Sequence, residues 1–218
     1  QKQYSREEYQ ALLSEAGISS NAIEEIAGVS LPSALLLSEA VPVSDLPGFY
    51  SGSVSVQDAG AQLAALLLNP QPEELVLDAC AAPGGKTAHM LELSGCRMVA
   101  LELDGGRLGK IDGNLDRLRL QSDGVKVLKG DASKENWWDG ALFDKILIDA
   151  PCSASGIVSR HPDIPFLRRE SDIQSLQQKQ RAILHQAWKM LKQGGTMLYV
   201  TCSVFPEEGE DQAVWFAT

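Results

Sequence analysis

The chain has 218 residues, a formal net charge of −10 and 44% hydrophobic residues. That length allows one large domain, or one domain with a small appendage, and the apolar content allows a sizeable core. The acidic balance excludes a whole-surface binder of nucleic acid, and no apolar run is long enough to span a membrane.

The opening Gln1-Lys2-Gln3-Tyr4 is followed by no apolar segment of the secretory kind. Residue 1 is not Met, so the start reads as an artificial boundary or a processed end. Ser5 and Glu8 have capping-box spacing, which predicts a short amphipathic helix that stops at Gly17. Residues 18–53 carry Pro32, Pro42 and Pro47 with several glycines. They read as the rest of a small N-terminal lobe, residues 1–55, with a second short helix near Asn21 to Ala27 and a strand near Ala34 to Ser38. Gln57 to Leu68 predicts a helix ended by Asn69-Pro70.

From Leu75 the rhythm becomes strand, turn, helix. Strands are predicted at Leu75 to Ala79, Arg97 to Glu102, Val125 to Lys129, Lys145 to Asp149 and Thr196 to Thr201. Helices are predicted at Lys86 to Leu93, Arg107 to Leu118 and Asp172 to Leu191, the last ended by Gly194-Gly195. This alternation predicts an α/β core over residues 56–218, a mostly parallel sheet with helices on both faces. Gly109 and Gly113 fall inside the second of these helices and weaken it by roughly 1 kcal/mol each relative to alanine.

In such a sheet the C-terminal strand ends converge on a ligand crevice. The first strand runs into Asp78-Ala79-Cys80-Ala81-Ala82-Pro83-Gly84-Gly85-Lys86, a glycine turn that opens a helix. A helix N-terminus offers N–H donors and positive potential to a ligand. The loop is neither a Walker A sequence nor G-x-G-x-x-G, which argues against a dinucleotide-dependent oxidoreductase. Glu102 ends the second strand, where a Rossmann-type acid binds ribose hydroxyls, and Asp131 follows the third, where a polar group can reach an adenine edge. Taken singly, each acid is a solvated strand end. Together they favour a cofactor that contains a nucleoside.

Two strand ends also carry thiols, in Asp149-Ala150-Pro151-Cys152 and Thr201-Cys202-Ser203. A lone buried cysteine is usually an inert small hydrophobe. Two at one crevice, with Asp149 and Lys86, point to a nucleophile whose acidity is raised by Lys86 and helix dipoles. Cys80 and Cys96 read as structural. With four cysteines, no Cys-x-x-Cys, and His89, His161 and His185 out of ligand spacing, reduced cytoplasmic thiols and no metal are expected. His161 lies in Arg160-His161-Pro162-Asp163 and reads equally as a positioning group or a surface turn residue. Trp137 and Trp138 are expected to pack a loop on the sheet, and Trp188 to lie on the buried face of the long helix. Val158 to Met190 is locally positive, whereas Glu207, Glu208, Glu210 and Asp211 make the C-terminus negative.

Together these motifs resemble the cytosine-C5 RNA methyltransferases of the Nol1/Nop2/Sun family, nearest its bacterial B-type branch, which methylates small-subunit ribosomal RNA. The likeness rests on Asp78 to Thr87, Asp149 to Ser153, Thr201-Cys202-Ser203, Arg160 to Asp163, Leu46 to Phe49 and Val56-Gln57-Asp58, and runs from about Tyr4 to Gln212. It implies a class I, Rossmann-like fold and S-adenosylmethionine as cofactor. By matched position, Cys80, Ala81, Ala82, Pro83, Gly84, Gly85 and Lys86 would hold its methionine and ribose side, Glu102 the ribose hydroxyls, Asp131 the adenine and Asp149 the region beside the methyl donor. Cys202 would be the nucleophile and Cys152 would assist product release. The partner would be RNA, ribosomal or, alternatively, transfer RNA. The family has Asp where Glu102 stands here, and continues past Thr218 into a final sheet hairpin. It also carries an N-terminal RNA-binding domain that this sequence lacks. The chain therefore reads as a catalytic-core fragment, with a non-catalytic binding module as the remaining alternative. Oligomeric state is not legible.

Overall fold

The computed structural model describes residues 3–218, so the first two residues of the expected lobe lie outside it. Helix α1 (Arg6–Glu15) starts at the predicted capping box: Glu8 N–H donates to Ser5 Oγ at 3.1 Å and Ser5 N–H to Glu8 Oε2 at 2.7 Å. Residues 21–27 are not the expected helix. They contribute to two short antiparallel ladders, β1 (Ser20–Ala22) with β4 (Leu35–Leu37), and β2 (Glu25–Ile26) with β3 (Val29–Ser30). Ala27 and Gly28 take φ values of 50° and 81°, so the β2–β3 turn has positive φ at both central residues, as a tight hairpin requires. Tyr9, Leu13 and Leu46 form a small apolar cluster of their own, with Leu35, Leu37 and Phe49 packed against it. Arg117 ties this region to the rest: its Nη1 donates to the carbonyls of Phe49 and Val54 at 2.8 and 2.9 Å, and its guanidinium stacks 4.2 Å from the Phe49 ring centroid.

The larger part follows the predicted alternation. α2 (Ala59–Leu68) is capped by Asp58 and ended by Asn69 at a left-handed φ of 47°. Then come β5 (Leu75–Ala79), α3 (Gly85–Ser94), β6 (Arg97–Glu102), α4 (Gly105–Leu118), β7 (Val125–Lys129), β8 (Phe143–Asp149), a one-turn α5 (Ile164–Leu167), α6 (Glu170–Met190), β9 (Leu191–Val200) and α7 (Glu210–Ala217). The five long strands pair in parallel in the order β7-β6-β5-β8-β9. Side chains alternate across this sheet as strand geometry requires. Val76, Met98, Ala100 and Leu147 face α2, α3 and α4, whereas Leu77, Val99, Ile146 and Ile148 face α6. The chain leaves β5 toward β7 and returns through β8 on the other side, so the strand order reverses between β5 and β8. An open parallel sheet places its ligand crevice at such a point, outside the carboxyl ends.

Two further expectations need correction. Gly194-Gly195 does not end the long helix. Leu191 is already extended and pairs with Phe143, and the glycines lie in an irregular stretch before Thr196 pairs with Lys145. Trp188 is not on the buried face of α6. That face is Gln180, Ile183, Leu184, Ala187 and Met190, and Trp188, one residue round from Ala187, is 58% exposed and meets Phe216 edge-on. Among the described residues no helix is long and apolar enough to cross a membrane.

Gly109 and Gly113 sit on the exposed face of α4, and a Cβ at either would meet nothing within 4 Å. Replacing each with alanine should therefore stabilise the chain by about 1 kcal/mol through helix propensity. An upward shift of the urea midpoint in each single variant, additive in the double, checks it.

Candidate active site

The loop between β5 and α3 is held from below. Cys80 and Ala81 both donate their N–H to Leu101 O, at 3.1 and 2.9 Å, with Cys80 at φ 137°, a backbone region that side chains rarely adopt. Burial among the sheet residues pushes the Cys80 thiol up, which fits its reading as structural. Gly84 stands at φ 95°, and a Cβ there would meet Ile111 Cα at 3.2 Å, so glycine is required by both backbone and space. Gly85 has open space around it, and no side chain caps the α3 N-terminus. Its first-turn N–H groups are therefore free to meet an anionic or carbonyl oxygen.

Glu102, at the end of β6, is 4% exposed. Its carboxylate accepts from Ala82 N at 3.2 Å and Asp104 N at 2.9 Å, which leaves each oxygen room for one further donor. Arg107, which sequence reasoning had not singled out, lies across this junction. Its Nη2 donates to Ala82 O at 2.7 Å, and its Nη1 is 3.8 Å from Glu102 Oε2. Asp131 Oδ1 takes the N–H and hydroxyl of Ser133, while Oδ2 has no partner among the described residues. A cleft of about 330 Å³ adjoins it, lined by Leu103, Lys129, Gly130, Asp131, Asn136 and Trp137. Trp137 and Trp138 pack against the sheet side as expected.

Asp78 in β5 is fully buried, accepts from Thr87 Oγ1 at 2.6 Å, and has no partner for Oδ1. Burial raises its pKa from the ordinary 3.8 to about 7. Between those values the folded chain keeps a proton that the unfolded chain has lost. Stability should therefore fall as pH rises from about 4 to 7. Asp78→Asn should flatten that slope, as read by urea unfolding across the range; an unchanged slope would assign it to other groups.

At the ends of β8 and β9 the two thiols meet: Cys152 Sγ and Cys202 Sγ are 3.3 Å apart. The half-buried Cys152 is pushed down to about 7, first by its hydrogen bond with Cys202 and then by the backbone N–H groups of Ala154 and Cys202, against its burial. Cys202 is exposed, and its thiol is pushed up, first by its contact with Cys152 and then by desolvation. This corrects the expected source of acidity. Lys86 Nζ does not face a thiol; it is bonded to Asp149 Oδ2 at 2.6 Å. The acidified sulfur is Cys152, and its acidity comes from its fellow cysteine.

A buried polar lattice fixes these loops. Ser153 N–H donates to the carboxylate of Glu208, which also takes Gln180 Nε2 at 3.0 Å and is wholly buried. Gln180 also donates to Pro151 O, and Tyr199 Oη to Glu208 O. Ser203 Oγ lies 3.2 and 3.1 Å from the hydroxyls of Ser153 and Ser155. Of the basic segment, Arg160 pairs with Asp58 at 2.7 Å, Arg181 stacks on Trp215 and bonds Gln212, and Lys189 pairs with Glu135, so its positive surface is partly neutralised. No group of three or more His, Cys, Asp or Glu with a metal-binding arrangement occurs among the described residues.

Comparison with known proteins adds the kinship. A family model described as 16S rRNA methyltransferase RsmB/F matches residues 65–216. Ribosomal RNA small subunit methyltransferase B of Shewanella oneidensis is 50% identical over 210 residues, covering 95% of this chain and 47% of the relative. The chain spans about half the length of the curated relatives it matches. Among solved structures, PH0851 aligns with a TM-score of 0.89 at 33% identity, over 97% of this chain and 47% of that one. A methyltransferase homolog protein from Pyrococcus horikoshii aligns with a TM-score of 0.81 at 29% identity, over 98% and 66%. The five-stranded parallel sheet with helices on both faces is thus of the Rossmann-like methyltransferase kind.

Proposed function

The chain belongs to the 16S rRNA methyltransferase RsmB/F family, and from that premise we propose that it transfers a methyl group from S-adenosylmethionine to C5 of a cytosine in small-subunit ribosomal RNA. The observation that carries the reading is the pair of thiols 3.3 Å apart at adjacent strand ends, beside the Lys86–Asp149 ion pair. We read residues 56–218 as the catalytic core and residues 1–55 as a lobe with its own small apolar cluster. Work on ribosomal RNA would place the chain in the cytoplasm, where its free thiols stay reduced.

The crevice fits the cofactor. The uncapped N-terminus of α3 and the open space at Gly85 suit its amino-acid part, and the spare acceptor capacity of Glu102 suits ribose hydroxyls. The cleft beside Asp131, with an unbonded Oδ2 and the apolar side of Leu103, suits an adenine. Bound there, S-adenosylmethionine supplies an electrophilic methyl group.

Cytosine C5 is too weak a nucleophile to take it unaided. Cys202 Sγ adds to C6, its proton passes to N3, and the C5=C6 electron pair moves so that C5 becomes enamine-like. Asp149, held by Lys86, accepts from the N3/N4 edge of the adduct. After methylation Cys152, as thiolate, removes the C5 proton; that electron pair re-forms C5=C6 and expels Cys202 as thiolate. The N3 proton leaves to solvent, and the proton on Cys152 crosses back to Cys202, which restores the starting pair. The base must be out of its stack for this, in a loop or flipped.

The test is incubation of the chain and labelled S-adenosylmethionine with small-subunit ribosomal RNA and, in parallel, transfer RNA, followed by nucleoside mass analysis. Labelled 5-methylcytidine from ribosomal RNA is the expected product. Label on another atom or base would sink the reaction, and label confined to transfer RNA would sink the substrate.

A further inference from the structure

The segment from Ser153 to Arg169 is stitched to both cysteine loops. Gly156 N–H donates to Cys202 O at 2.8 Å, Val204 N–H to Ser155 Oγ at 2.9 Å, and Arg168 Nε to Ser153 O at 3.0 Å. Between these anchors it carries a large aromatic to solvent: Phe166 on α5 is 89% exposed. Leu167 beside it is 68% exposed, and Val204, two residues past Cys202, 69%. Nothing in the fold covers Phe166, and it stands two residues from the arginine that grips the Cys152 loop.

The charge around it says what would cover it. In a chain of net charge −10, residues 158–169 hold Arg160, Arg168 and Arg169 against Asp163; Arg160 is paired with Asp58 and Arg168 holds Ser153 O, which leaves Arg169 as the cation near the ring with no ion pair among the described residues. An exposed aromatic ring near such a cation, in an otherwise acidic protein, matches a polyanion whose bases present flat faces. A protein partner for an apolar patch would not call for that cation.

We propose that Phe166 is a stacking platform for an unpaired RNA base next to the target cytosine, with a backbone phosphate meeting Arg169. This rests on the RNA reading above. A base extruded toward the cysteine pair leaves its neighbour unstacked, and the ring replaces that lost stacking. Because every base has a flat face, the platform is tolerant of sequence at that position and acts on RNA grip rather than on the methyl step. Phe166 is a positioning residue in this scheme.

The test compares the unaltered chain with Phe166→Ala and Phe166→Trp, using a fluorescein-labelled oligocytidylate of about 12 nucleotides as probe. Phe166→Ala should weaken binding and raise KM for RNA by roughly tenfold or more, with kcat and S-adenosylmethionine affinity unchanged. Phe166→Trp should restore both. Equal RNA affinity and KM in Phe166→Ala, beside an active unaltered chain, would overturn the platform alone. A fall in kcat without a change in KM would also overturn it, as would capture of protein but not RNA by the patch. Failure of the unaltered chain to bind or methylate RNA would overturn the platform together with the RNA reading.

Discussion

Replacement of Cys202 by alanine should abolish RNA methylation, with a loss on the order of 10⁴-fold or more, which is roughly 5 kcal/mol of transition-state stabilisation or more. The size follows from the role. Without a sulfur on C6 there is no enamine, and no other group at the crevice can make C5 nucleophilic. Cys152 does not substitute easily, because the loop it ends is held by Glu208 and Gln180 and cannot swing toward the position of Cys202. The variant is also a clean one. Cys202 is exposed, so truncation leaves no cavity, and its structural bond, the acceptance of Gly156 N–H, is made by the backbone carbonyl. Calorimetric affinity for S-adenosylmethionine and the urea midpoint should therefore match the unaltered chain. Methylation at the native rate would show that the nucleophile lies elsewhere.

The sheet was legible because each strand is a short apolar run closed by a turn residue. Arg97–Glu102 and Val125–Lys129 match their predicted bounds, and the acids at or just past these ends stand at the crevice as the topology rule requires. The β2–β3 hairpin was not legible, since its strands are two residues long and its turn puts an alanine, Ala27, at positive φ. α5 was missed for a similar reason: one turn of helix has too little periodicity to register. Glu208 shows the limit for the site. It lies in an acidic run next to the exposed Glu207, and no local pattern tells a solvated carboxylate from a buried one that holds the Cys152 loop. The order of acidity of the thiols was beyond reach for a stronger reason. It is set by one contact between side chains fifty residues apart, and the expected source, Lys86, is taken up by Asp149.

That contact makes the Cys152→Ala variant the more discriminating experiment. The contact with Cys152 is the first cause that pushes the Cys202 thiol up, ahead of desolvation and of the Cys152 charge. Without Cys152 the Cys202 thiol should ionise more readily, so attack on C6 is not lost. What is lost is the thiolate facing the C5 proton. The methylated adduct then has no base to collapse it, and a covalent protein–RNA species should accumulate, seen as a shifted band on a denaturing gel in the presence of S-adenosylmethionine. In the unaltered free chain the cycle starts with Cys152 as thiolate, so kcat/KM for RNA should rise with pH through about 7. In Cys152→Ala that inflection should disappear while the adduct persists on both sides of it. The double variant Cys152→Ala with Cys202→Ala should show no band, which ties the adduct to Cys202. A Cys152→Ala chain that turns over normally and traps nothing would remove Cys152 from the proton path and leave a water as the base.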